Sequence, residues 1–250
     1  MNTVSSPIWA AIKAHYYRMK LTLWAFLYLP KMLYVGNTQI ALPARCWQVA
    51  IPCRTDTTLI QYEGRNRNVG RMFYEPGEVP YFMKLAAGKK VFFDVGANIG
   101  FYSYLASAAG VQRIVAFEFT KEYASFTKNT FVRNGIPAEV INRAVGSPGQ
   151  ETHYSDPLVR ASGKALSLDE YARENNLYPD LIKMDIEGYE LDALRNAHEI
   201  LSRKPALDIS IHSSFLANRG QSVDEVLNLL KQYGYKIIWS GSDTYFMRAD

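Results

Sequence analysis

The sequence predicts an α/β protein with a doubly wound, seven-stranded, mostly parallel sheet, preceded by an N-terminal appendage of about ninety residues. Three observations carry that prediction. Strand-like runs at 91–96, 113–119, 138–146, 180–186, 206–212, 236–240 and 244–249 are separated mostly by helical stretches, as parallel crossover connections require. The first run opens into "VFFDVGANIGFYSYLA" at 91–106, where two glycines and an asparagine join a strand to a helix. The last two runs flank a glycine-containing turn and read as a C-terminal antiparallel hairpin.

The bulk properties allow this architecture. A chain of 250 residues that is 48% hydrophobic and 13% aromatic can bury a full core, which excludes disorder. The formal net charge is +4 and the basic residues are dispersed, so nucleic acid is not an expected partner. Cys46 and Cys53 flank "WQVAIP" without the companions of a zinc site or the spacing of a redox pair. They read as reduced thiols of a cytoplasmic protein.

Residues 1–88 form the expected appendage. The stretch 8–35 is apolar but interrupted by Lys13, Arg18, Lys20 and Lys31, and its longest charge-free run covers 21–30. That run is too short for a helix spanning about 30 Å of hydrocarbon. A secretory signal fits poorly, with no positive residue ahead of the first apolar stretch and no small-residue cleavage site after the second. Ile8, Ile12, Tyr16, Met19 and Leu23 recur at helical spacing, giving one apolar face with basic residues between. Such a face packs on its own domain or lies on a membrane surface against anionic head groups, a peripheral contact. Residues 39–64 alternate weakly and predict short strands, and 78–85 predicts a helix that exits through "AAGKK".

The domain from 89 to 250 carries the chemistry. In an open α/β sheet the ligand crevice lies beyond the carboxyl ends of the strands. Gly96 and Gly100 allow close backbone approach, and the following helix offers unpaired N–H groups. A dinucleotide turn needs GxGxxG, yet Asn98 stands at the middle glycine and Phe101 at the last, which encumbers a pyrophosphate. Asp94 would repel a phosphate and welcome an ammonium group. Glu118, about twenty residues past the turn, stands where a carboxylate accepts both hydroxyls of a ribose. Adenosine joined to an amino acid is S-adenosylmethionine. An NAD-dependent oxidoreductase is the alternative on fold grounds, and a protein that kept the fold without activity is a third.

A second cluster lies in "DLIKMDIEGYE" at 180–190, where Asp185, Glu187 and Glu190 meet as a strand gives way to a helix, with Gly188 at the turn. Three carboxylates there are costly unless a positive group or hydrogen-bond donor sits among them. Glu190 also suits a helix N-terminus.

"FFDVGANIGFYSYLA", "AFEFT" followed by "NTFVRNG", and "DLIKMDIEGYELDAL" resemble, in order, the motifs of the FkbM family of S-adenosylmethionine-dependent methyltransferases. The resemblance runs from about residue 73 to the C-terminus and includes "FYEPGEV" and "LSLDEYA". It implies a Rossmann-like class I methyltransferase fold and methyl transfer to oxygen, on a sugar hydroxyl of a glycan or glycoconjugate or on a small natural product. It further implies that Asp94, Gly96, Asn98, Gly100 and Glu118 hold the cofactor, with Ala144 near the adenine and Asp185 and Glu187 facing the transfer site. Two positions depart from the family. Phe119 and Thr120 follow Glu118 where "FEP" is common, and Ser210 stands where a glutamate often precedes His212 by two residues.

Methyl transfer to a hydroxyl asks the protein to align the acceptor and remove its proton. His212 and Asp185 are the base candidates, with Glu187 orienting the acceptor. Magnesium among Asp185, Glu187 and His212 suits hard oxygen ligands, but the spacing does not demand it and no metal is expected. The acceptor pocket is expected from the N-terminal lobe and from loops at 153–164 and 213–221, where Arg160, Lys164 and Arg219 are available to an anionic or sugar acceptor.

Overall fold

The computed structural model describes residues 46–53, 56–63, 78–155, 160–241 and 243–249. The amphipathic helix expected over residues 8–27 lies outside the described residues. Among the described residues no helix is long and apolar enough to cross a membrane.

Strands β1 (Cys46–Cys53) and β2 (Asp56–Glu63) form an antiparallel hairpin. Helix α1 (Val79–Ala86) has a proline in its first turn and buries Phe82, Leu85 and Ala86, the i, i+3, i+4 stripe of a helix lying on a core. Then follow β3 (Val91–Val95), α2 (Phe101–Ala108), β4 (Arg113–Phe117), α3 (Lys121–Asn134) and β5 (Ala138–Ile141). A separate antiparallel ribbon, β6 (Glu151–Ser155) and β7 (Arg160–Lys164), leads to α4 (Leu168–Asn175) and β8 (Leu181–Met184). The chain continues through α5 (Glu190–Arg195), α6 (His198–Ser202), β9 (Ala206–Ser210), α7 (Ser213–Asn218) and α8 (Val223–Gln232), and ends in β10 (Tyr235–Ser240) and β11 (Thr244–Ala249).

Seven of these strands form one sheet in the order β10-β11-β9-β8-β3-β4-β5. The pairings from β9 to β5 are parallel, whereas β11 runs antiparallel to both its neighbours. The seven runs read from the sequence are these seven strands. The chain leaves β3 through β4 to β5, then returns to β8 on the other side of β3. That reversal opens a crevice at the carboxyl ends of β3 and β8.

Strand parity sorts the core into two layers. Phe93, Val95, Val115, Phe117, Ile182 and Met184 face one side with α4 and α8. Phe92, Ile114, Ala116, Leu181, Ala206 and Phe246 face the other with α1 and α2. On this second face one rung is charged. Asp94 of β3 pairs in register with Lys183 of β8, which pairs with Asp208 of β9, and all three side chains are buried.

Two regions read as loops from the sequence carry regular structure. Segment 153–164 falls mostly in the β6–β7 ribbon, whose period-two burial rests on Thr152 and Tyr154 and on small residues of β7, not on aliphatic side chains. Segment 213–221 contains α7, which begins directly after His212.

Candidate active site

The crevice is built where three strand ends meet. Asp185 N donates to the Val95 carbonyl (2.9 Å), while Gly96 N and Ala97 N donate to the Phe117 carbonyl (2.9 and 3.0 Å). Gly96 has φ +85°, and a Cβ there would fall on the carbonyl oxygen of Asp185. Only glycine allows this approach. Asn98 also has positive φ, and its N–H donates to Glu118 Oε2 at 2.8 Å. Thr127 Oγ1 donates to the Asn98 carbonyl.

Glu118 is 7% exposed. Its Oε1 accepts from the backbone N–H and the hydroxyl of Thr120, each at 2.7 Å. Burial pushes its pKa up, opposed by these donors. Oε2 holds only the Asn98 N–H among the described bonds and keeps acceptor capacity for a ligand hydroxyl.

A cleft runs along these strand ends, its lining taking in Gly96, Asn98, Glu118, Ala144, Asp185 and Glu187. Two atoms of its lining residues are buried without a hydrogen-bond partner, Asn98 Oδ1 and Thr152 Oγ1. An unsatisfied buried polar atom costs about 1–3 kcal/mol, so both call for a ligand carrying donors and acceptors. Phe119, Tyr123 and Tyr154 give the same cleft aromatic surface. Thr152 escaped the sequence reading, and Tyr154 entered it only as part of the segment 153–164 read as a loop, because the ribbon that carries them has no hydrophobic signature.

The structure does not bring every expected residue to the cleft. Gly100 caps α2 at φ +79°, and a Cβ there would lie 2.6 Å from the Phe131 ring. It is a packing glycine between α2 and α3. Asp94, expected to meet an ammonium group, lies on the sheet's second face at 2% exposure and accepts from Ser103 Oγ at 2.6 Å. Burial raises its pKa from 3.8 to about 6, against the Ser103 bond and the charge of Lys183.

Asp94 therefore binds its proton more tightly folded than unfolded. Its contribution to stability is full below about pH 4 and is lost as the pH rises to about 6. The Asp94→Asn protein should gain about 3 kcal/mol relative to wild type between pH 4 and pH 7, measured by urea unfolding at both. A difference independent of pH would contradict this assignment.

Asp185 and Glu187 leave β8 through a turn with positive φ at both Glu187 (51°) and Gly188 (97°). A Cβ on Gly188 would sit 2.6 Å from that of Phe215, so α7 closes directly on the turn. Glu190 is fully buried and accepts from Gly188 N at 3.0 and 3.1 Å. His212 lies behind Asp185, with Nε2 3.7 Å from Asp185 Oδ1 and Nδ1 3.4 Å from Glu190 Oε1. Its pKa is raised, first by the bond to Glu190 and then by the Asp185, Glu190 and Asp243 charges, against burial. Lys183 Nζ reaches Ser210 Oγ at 2.7 Å and Asp185 Oδ2 at 3.4 Å. The serine at the departure from the family pattern thus receives the buried ammonium.

Of the cations expected to meet an acceptor, Arg219 is committed elsewhere. It donates to Asp192 and stacks over the Tyr189 ring at 3.8 Å. Arg160 and Lys164 are exposed on β7.

A parallel sheet with one antiparallel strand inserted before its edge, and a glycine turn opening on the β3/β8 crevice, define the class I methyltransferase fold. The chain belongs to the FkbM methyltransferase family, since residues 94–237, more than half its length, match the Methyltransferase FkbM domain. It is a methyltransferase that uses S-adenosylmethionine. Among solved structures, SMU.776, described as a methyltransferase complexed with SAH, aligns with TM-score 0.50 at 11% identity over 84% of this chain and 57% of that one. The ribosomal protein L11 methylase from Lactobacillus delbrueckii subsp. bulgaricus aligns with TM-score 0.49 at 16% identity, over 84% of this chain and 95% of that one. The O-methyltransferase from Bacillus cereus in complex with SAH gives 0.46 at 14% identity, over 71% and 82%. No curated protein matches the sequence.

The residues present fit the cofactor. Glu118 Oε2 offers acceptor capacity, Asn98 Oδ1 and Thr152 Oγ1 await partners, and Gly96 brings no side chain to the cleft lining.

Proposed function

We propose that the protein is an O-methyltransferase whose acceptor is a sugar hydroxyl of a glycan or glycoconjugate. The observation that carries this reading is Asp185 in the cleft lining with His212 Nε2 3.7 Å from it and Glu190 beyond, a row that can supply a base to a hydroxyl. The family resemblance and the tyrosines at the cleft support a sugar acceptor. Membership of a methyltransferase family displaces the dehydrogenase alternative.

When bound, S-adenosylmethionine supplies a methyl carbon activated by its sulfonium. Glu118 Oε2 would hold its ribose hydroxyls and Asn98 Oδ1 a donor of the same ligand, with Ala144 and Thr152 on the adenine side. Asp94, on the sheet's second face, ties β3 to α2 through Ser103. The separation of 3.7 Å between His212 Nε2 and Asp185 Oδ1 is longer than a direct hydrogen bond, and an acceptor oxygen lying to one side of the pair can stand about 2.8 Å from both. His212 Nε2 then takes the hydroxyl proton, Asp185 fixes the position of that hydroxyl, and exposed Glu187 orients the rest of the acceptor.

His212→Ala and Asp185→Ala should each lower kcat by about 100- to 10,000-fold, the usual contribution of a general base and its partners, with binding of S-adenosylhomocysteine retained. Normal turnover in both would remove the assignment. Asp185 as the base is the second reading, favoured by its place in the cleft lining. A pH profile tests the first: a base at His212 puts the acid limb of kcat/KM at or above the ordinary imidazole range, and a limb below that range removes His212 from the role. Screening sugars and small hydroxylated compounds with a labelled methyl donor identifies the acceptor.

A further inference from the structure

We propose that Glu190 is a positioning residue for methyl transfer: its buried carboxylate clips the turn that carries Asp185 and Glu187 and holds the His212 ring with Nε2 directed at Asp185 in the cleft lining. The inference rests on the reading of His212 as the base.

An acidic residue opening a helix ordinarily sits in water, where the macrodipole is enough to favour it. Glu190 opens α5 yet is 0% exposed. A carboxylate withdrawn from water needs donors, and these come from two directions. Gly188 N donates to both oxygens, at 3.1 and 3.0 Å, and Ile186 N approaches Oε1 at 3.4 Å. These donors belong to the turn in which Glu187 and Gly188 both take positive φ, a backbone that persists only when its surroundings hold it. Oε1 also faces His212 Nδ1 at 3.4 Å. One oxygen thus ties the strained turn to the imidazole of a different strand end.

The chemistry of that contact fixes the tautomer. An ionised carboxylate only accepts, so the ring proton of neutral His212 resides on Nδ1 and leaves Nε2 as the basic atom. The ring is held from other sides as well. Phe215 of α7 packs edge-on to it at 5.8 Å. Its charged neighbours are Asp185 at the exit of β8, Glu190 of α5 and Asp243 of the turn before β11, all acidic. Glu190 is the one among them that bonds Nδ1, and its bond leads the causes that favour the protonated ring. Buried carboxylate, imidazole and outward nitrogen form the arrangement that makes histidine an effective base elsewhere in enzymology.

Glu190→Gln separates support of the turn from control of the histidine, because the amide oxygen still accepts from Gly188 and Ile186 while the charge is gone. In the full-length chain with ¹⁵N-labelled histidine, the His212 signal, assigned by its loss in His212→Ala, should titrate at lower pH in Glu190→Gln than in wild type. The acid limb of kcat/KM should move in the same direction, with kcat down by about 10- to 100-fold and acceptor KM little changed. An unchanged His212 titration in folded Glu190→Gln overturns the proposal. If the variant does not fold, wild type alone decides: above the titration midpoint the spectrum must show the Nδ1–H tautomer, and an Nε2–H tautomer overturns the proposal. A titration that moves while the pH profile stays fixed overturns the reading of His212 as the base, and with it the role of Glu190 in the reaction.

Discussion

Replacing Lys183 with methionine is expected to destabilise the protein by about 3–5 kcal/mol, the range for removing one partner of a buried ionic group. Lys183 is 1% exposed and lies in register between Asp94 and Asp208, both buried. Its ammonium is 3.4 Å from Asp185 Oδ2 and 4.0 Å from Asp208 Oδ1, and 5.1 Å from the centroid of Tyr102. Methionine fills the volume but leaves the carboxylates without this cation, so the loss comes from electrostatics and not from a cavity. Two features identify that cause. The deficit should shrink in acid, where Asp94 protonates at about 6, and Lys183→Met/Asp94→Asn should lose less than the sum of the two single changes. Urea unfolding at pH 5 and pH 8 reads both effects. A loss below about 1 kcal/mol at pH 8 would mean that the rung does not depend on its cation.

Gly96→Ala should abolish cofactor binding. A methyl group there lands on the Asp185 carbonyl, 2.8 Å from its carbon and 3.0 Å from Ile186 Cγ2, at a φ that L-residues avoid. The obstacle is backbone, which does not swing away as a side chain end does. Relief requires parting the exits of β3 and β8, where Asp185 N bonds the Val95 carbonyl at 2.9 Å. Affinity for S-adenosylhomocysteine should fall by at least about 100-fold, close to 3 kcal/mol. Gly110→Ala is the control: φ there is +89°, with nothing within 4 Å of an added Cβ. It bears the backbone strain without the collision, and should lose stability while keeping affinity. Wild-type affinity in Gly96→Ala would show that the turn does not shape the site.

The sheet was legible because its strands are aliphatic and aromatic on both faces, and because parallel strands alternate with helices. Glu118 was legible from its distance along the chain from the glycine turn, since that spacing reflects one crossover. Asp94 was expected near the strand's end, meeting an ammonium group, whereas the structure gives it Ser103 and the charged rung as partners. Strand parity puts it on the face of Phe92, and sequence alone does not say which face the cleft occupies. His212 could be placed at a strand end, whereas its contacts with Asp185 and Glu190 depend on how α7 folds back on the Glu187–Gly188 turn. Thr152 left no mark, and Tyr154 was reached only within the segment 153–164 read as a loop, because a two-stranded polar ribbon has no apolar alternation to detect.

The claim on which the rest stands is that the crevice where the ends of β3, β4 and β8 meet binds an S-adenosyl nucleoside through Glu118. Calorimetric titration of the full-length protein with S-adenosylhomocysteine, repeated with Glu118→Ala and with NAD, tests it most directly. The account predicts saturable binding to wild type, weakened at least about 10-fold in Glu118→Ala by loss of charge-assisted bonds to the ribose, and no heat with NAD. Saturable NAD binding, or unaltered S-adenosylhomocysteine affinity in a folded Glu118→Ala protein, would contradict it.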